Sequence, residues 1–110
     1  MIAADSRHHA RIRLRVIVDR LGPSADISAG GIRVLTANPL PPGAEVRLAF
    51  ELPETEAPMQ CHGCVVHVGP SRIDTDLFEM GIRYQRMMSC HRDAIRRYVS
   101  ERADADDGES

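Results

Sequence analysis

Arg7-His8-His9-Ala10-Arg11-Ile12-Arg13-Leu14-Arg15-Val16-Ile17-Val18 places two guanidinium groups four residues apart and runs on into a clean alternation. Ile12, Leu14, Val16 and Val18 fall on one side, Arg11, Arg13 and Arg15 on the other. That is the period of a half-buried antiparallel strand with a polar outer face. Beyond it, Asp26-Ile27-Ser28-Ala29-Gly30-Gly31 reads as an acidic, hydroxyl-bearing glycine turn between two further strand candidates.

Working outward, Leu21-Gly22-Pro23-Ser24 predicts a tight reversal into a short second strand around Ala25–Ile27. Gly30-Gly31 releases the chain into a third, Ile32–Thr36, and the proline-rich stretch Asn38–Gly43 is a loop. Glu45–Leu52 alternates with Val46, Leu48, Phe50 and Leu52 inward; Met59–Val68 and Leu77–Gln85 complete the set. After Ser89, an N-cap residue by type, His91, Ala94, Ile95, Tyr98 and Val99 recur at helical spacing to about Glu101. The expectation is an all-β fold with a terminal helix: a six-stranded antiparallel β-barrel, split-barrel in type, whose C-terminal helix covers an open end or face. The same reading divides the chain into a flexible N-terminal arm (residues 1–10), one barrel-and-helix domain (11–100) and an acidic, disordered tail (101–110).

The chain has 110 residues, long enough for one core without metals or disulfides. Its 43% apolar and 27% charged composition is that of a globular protein. No apolar run approaches the ~18 residues of a membrane span, and no signal-peptide layout opens the chain, so a cytoplasmic location without membrane insertion is expected. The net charge of −2 is unevenly spread: five arginines lie in residues 1–20, and Glu101, Asp104, Asp106, Asp107 and Glu109 cluster at the other end. The basic end suits an anionic ligand.

With these motifs in this order, the chain resembles the PilZ domain family of bacterial cyclic di-GMP receptors. Arg7 and Arg11 match its RxxxR element, and Asp26, Ser28 and Gly31 its [D/N]xSxxG element. Gly81-Ile82-Arg83-Tyr84 before a helix looks like its last strand. The resemblance covers about residues 6–100. The stretch between the motifs is short, trimmed at Asp19–Ser24, and His8 and His9 fill positions where members often carry arginine and aromatic or aliphatic residues.

The resemblance implies a cyclic di-GMP receptor that regulates a partner protein in trans. Arg7 and Arg11 would clamp phosphate and guanine, since a planar guanidinium bonds either in pairs. Asp26 would accept from a guanine edge, Ser28 would add a hydroxyl, and Gly31 would let the ligand approach the backbone. His8, His9 and Gly30 stand as secondary contacts. By themselves the same residues have plain readings: a solvated basic flank for the arginines, and a turn organised by Asp26, Ser28 and the glycines. The alternative function is a PilZ-like interaction module that needs no ligand. Arg13, Arg15, Arg33 and Arg83 read as ordinary outward-facing strand residues.

Other constellations point elsewhere less well. Cys61-His62-Gly63-Cys64, with His67 beyond, has a zinc-like spacing. Residues i and i+3 of a strand project to opposite faces, however, so reduced thiols are expected at Cys61, Cys64 and Cys90 and no metal site. No nucleophile–base set stands out, so no catalytic residue, enzyme activity or cofactor is expected. Arg92, Arg96 and Arg97 make a basic helix surface. With two Tyr, two Phe and no Trp the chain is poor in stacking platforms for nucleic acid. The partners expected are cyclic di-GMP and an effector protein, with a homodimer compatible with the sequence.

Overall fold

The computed structural model describes residues 11–53 and 58–109, with side chains as far as Arg102. The seven strands are β1 (Arg11–Arg13), β2 (Ile17–Val18), β3 (Gly22–Ser28), β4 (Gly31–Thr36), β5 (Glu45–Glu51), β6 (Pro58–Pro70) and β7 (Phe78–Met87). A helix, α1, spans Ser89–Glu109. All pairings are antiparallel, in the order β1-β3-β4-β7-β6-β5, with β2 also on β3. The sheet curls until the Asp19 amide donates to the Ala49 carbonyl oxygen at 2.8 Å, joining the end of β2 to β5.

The first expected strand is present in two pieces. Its apolar side is as the alternation requires, with Ile12, Val16 and Val18 buried and Leu14 half-buried. The ladder is interrupted at residues 14–16 because the buried Ser24 side chain enters it. The Val16 amide donates to Ser24 Oγ at 2.9 Å, and the Ser24 hydroxyl donates to the Leu14 carbonyl oxygen. The neighbouring Ser24 amide donates to the Val16 carbonyl at 2.8 Å, so the break leaves these backbone groups satisfied. Barrel strands commonly bend at such irregularities.

The reversal falls earlier than Leu21–Ser24, and β3 begins at Gly22 instead of Ala25. Arg20 takes the left-handed conformation, φ 67°, and Gly22 adopts φ 132°, so residues 19–21 close the hairpin. A Cβ at Gly22 would collide with the Leu35 carbonyl oxygen of β4.

The core gathers Val18, Ile27, Ile32, Val34, Leu48, Leu52, Met59, Val65, Met80 and Ile82 within the barrel, with Ile95, Tyr98 and Val99 from α1. The helix packs over β1 and β3, the covering role expected of it. Its first turn closes on the Met88 carbonyl, which accepts from the His91 and Arg92 amides at 3.0 and 3.1 Å. Ser89 therefore lies inside the first turn rather than capping it. The helical backbone continues to Glu109, past the Glu101 expected and through the segment read as a disordered tail. The apolar repeat ends at Val99, so periodicity carried no information on the last turns. Among the described residues no helix is long and apolar enough to cross a membrane.

Candidate functional site

The two motif segments meet because β1 pairs with β3. In that register Arg11 is opposite Ser28 and Arg13 opposite Asp26. Ile27 is completely buried. With that side chain in the core, period-2 alternation sends Asp26 to the outer face. There Arg11 Nη1 makes a short, charge-assisted contact with Asp26 Oδ1, and Arg11 Nη2 donates to Ser28 Oγ at 3.3 Å. Arg33 on β4 lies 3.7 Å from Asp26 Oδ2 and 3.8 Å from Glu79 Oε1 on β7. Arginine and carboxylate thus alternate across four neighbouring strands.

Ser28 organises the turn that follows it. Its buried Oγ accepts from the Gly30 and Gly31 amides, both at 3.2 Å, and donates to the Gly31 carbonyl at 3.3 Å. The Gly30 carbonyl accepts the Tyr84 amide at 3.1 Å, tying the turn to β7. Neither Gly30 nor Gly31 has a positive φ. What Gly31 supplies is a close approach: a Cβ there would collide with the Ile82 carbonyl oxygen of β7. The missing side chain is needed by the sheet itself, independently of any ligand.

A groove of about 380 Å³ opens beside this turn, lined by Arg11, Ser28, Gly30, Gly31 and Arg33 together with Val66, His67, Gly81 and Arg83. Three cationic or titratable side chains here escaped the sequence reading. By sequence Arg33 and Arg83 are ordinary outward-facing strand residues, and His67 belongs only to the zinc-like spacing after Cys64. They join the groove through register: Gly31 pairs with Arg83 and Arg33 with Gly81, so a site at the Gly30-Gly31 turn includes β7. Arg7, His8 and His9 lie outside the described residues.

The domain match is decisive: residues 5–101 match the PilZ domain. The chain belongs to the PilZ domain family. The solved structure of the Bacillus subtilis inhibitor of motility (MotI/DgrA) superposes on this PilZ domain with a TM-score of 0.78 at 24% identity. The superposition covers 87% of this chain and 50% of that one, so the PilZ domain here spans half of that protein. No curated protein matches the chain. The barrel and C-terminal helix are the family's fold, and the family is one of receptor and adaptor domains.

The cysteines of this PilZ domain separate as strand geometry requires: Cys61 is buried and Cys64 only half-buried, while Cys90 on α1 is exposed, and all three are free. Burial pushes the Cys61 thiol up to about 11, partly offset by the Arg92 charge. Tyr84 is raised further, by burial first and then by Cys61, against Arg11 and Arg92. Its buried hydroxyl has no hydrogen-bond partner among the described residues.

Proposed function

We propose that this PilZ domain is a cyclic di-GMP receptor that acts in trans on a partner protein. The observation that carries the proposal is that the β1–β3 register brings Arg11 onto Asp26 and Ser28, with Arg11 and Ser28 lining one groove. Cyclic di-GMP presents two phosphate anions and guanine edges, the chemistry that arginine forks and a carboxylate recognise. Arg7 and Arg11 take the phosphates and a guanine, and residues 5–11 come to rest on the groove as they do so. Asp26 accepts from a guanine Watson–Crick edge and Ser28 contributes its hydroxyl, with Gly30, Gly31, His8 and His9 as further contacts.

Arg11 holds both Asp26 and Ser28. Ligand binding is therefore an exchange of partners: Arg11 leaves Asp26 for phosphate and the guanine edge takes its place. The surface around Asp26–Gly31 is rearranged by that exchange, which gives a partner protein two states to distinguish. Calorimetric titration with cyclic di-GMP, against GTP and cyclic di-AMP, tests this. Selective heat for cyclic di-GMP, lost in Arg7→Ala and in Arg11→Ala, is expected; no heat at micromolar protein, or equal heat for all three, overturns it.

The second reading, an interaction module that needs no ligand, draws on the Ser28 hydroxyl, whose hydrogen bonds already organise the turn. It predicts no heat with any nucleotide and a partner complex indifferent to cyclic di-GMP.

A further inference from the structure

The outer wall formed by β5, β6 and β7 carries a second concentration of positive charge. Arg47 on β5 pairs with His62 on β6, and His62 with Arg86 on β7. Neighbouring strands stand about 4.8 Å apart, so the row spans roughly 10 Å. All three side chains are exposed, and none makes an ion pair or hydrogen bond among the described residues. With no partner of opposite charge across the strands, the row adds no ion pair to the barrel's own stability.

The row borders a groove of about 450 Å³, completed by Gln60, Met87, Met88 and His91. Met88 is 63% exposed. The first turn of α1 hangs over it: His91 Nδ1 lies 3.3 Å from the Gln60 carbonyl oxygen, and that turn holds no acidic residue. Of the nearby carboxylates, Asp93 faces Arg96 at 3.5 Å, while Asp19, which shares a cavity with Arg47, and Glu45, on the same outer face of β5, form no ion pair with it.

We infer that this wall docks an acidic segment of a partner protein, its carboxylates on Arg47 and Arg86 and an aliphatic side chain against Met88. The inference rests on the proposed action in trans and gives that action a surface separate from the nucleotide groove. Unpaired, exposed arginines select an anionic partner. An exposed methionine beside them selects a polypeptide over a phosphate, because a flexible thioether side chain packs adaptably against varied apolar groups.

Fluorescence anisotropy with a labelled peptide alternating glutamate and leucine tests this on the full chain, with its glutamine–leucine counterpart, inorganic phosphate and a single-stranded oligonucleotide as comparisons. Saturable binding of the acidic peptide alone is expected, weakened about tenfold or more in the Arg47→Gln, Arg86→Gln double variant. Met88→Ser weakens it about threefold, and both variants keep the native heat with cyclic di-GMP. Native affinity in the double variant, equal binding of the glutamine peptide, or preference for phosphate or oligonucleotide overturns the inference. The cyclic di-GMP titration of the same samples fails or succeeds separately, so loss of the receptor reading is distinguishable from loss of this one.

Discussion

At the β1–β3–β4 end Arg11 and Arg33 both reach Asp26, and Arg33 also reaches Glu79, whereas Arg47 and Arg86 on the β5–β6–β7 wall reach no carboxylate among the described residues. In both regions the arginines are exposed, so the contrast lies in what each is given to hold. Half-exposed ion pairs contribute little to stability, about 0–1 kcal/mol each. In the proposed receptor the use of the first network is placement: Arg11 is held on Asp26 and Ser28 in a defined arrangement beside the groove. The second region has no such internal order, and its charges are free for a surface that arrives from outside.

The largest effect should come from removing the anchor of the first region. Ile27 is fully buried between Asp26 and Ser28 in the chain, so Ile27→Ala should cost about 2–5 kcal/mol in urea unfolding and abolish nucleotide binding with it. An unfolding loss under about 1 kcal/mol would show that the site does not depend on this strand's seating.

Beneath the second region, Cys61 should make stability fall at alkaline pH. Its thiol is raised from 9.0 to about 11, so the folded state holds a proton that the unfolded chain releases. The stabilisation is complete below pH 9 and is lost as pH rises toward 11, at up to about 1.4 kcal/mol per pH unit. Tyr84 adds a loss of the same sign at higher pH. Cys61→Ala should flatten the pH 9–11 part of the unfolding curve; an unchanged slope would remove Cys61 as its cause.

A smaller effect distinguishes interior from surface. The Tyr84 hydroxyl is buried without a partner among the described residues, so Tyr84→Phe should leave stability unchanged or raise it by about 1 kcal/mol. A clear destabilisation would reveal a hydrogen bond there.

The smallest stability effects sharpen the comparison itself. Asp26→Asn should lower stability by less than about 1 kcal/mol while eliminating cyclic di-GMP heat. Arg86→Gln should change stability by no more than about 0.5 kcal/mol and leave that heat intact. Reversed outcomes in calorimetry would mean that the roles of the two regions have been exchanged.

Most of the barrel was legible because alternation reports burial directly: Val46, Leu48 and Phe50 on β5, and Met80, Ile82 and Tyr84 on β7, all point inward as read. The interruption at residues 14–16 was not legible, because it depends on a serine ten residues away entering the ladder. The turn at Arg20 was hidden for a similar reason, since an arginine with positive φ leaves no trace in composition. Within the site, Arg11, Asp26 and Ser28 were readable as local motifs. Arg33, His67 and Arg83 join them only through pairing register, which a single strand's sequence does not contain.

The hydrogen bond from Asp19 to Ala49 has a consequence for solubility. Ladders join the other neighbouring strands, but this one backbone bond links β2 to β5. When it parts, β5 offers an unpaired row of amides and carbonyls, the template on which chains polymerise edge to edge. Glu45, Arg47 and Glu51 stand exposed along that strand and discourage a second copy from adding. Transient opening of the seam should appear as rapid amide exchange at Asp19 while the central β4–β7 ladder stays protected. The short strand that leads from the arginine segment into the barrel is thereby also the cover that keeps one molecule from templating the next.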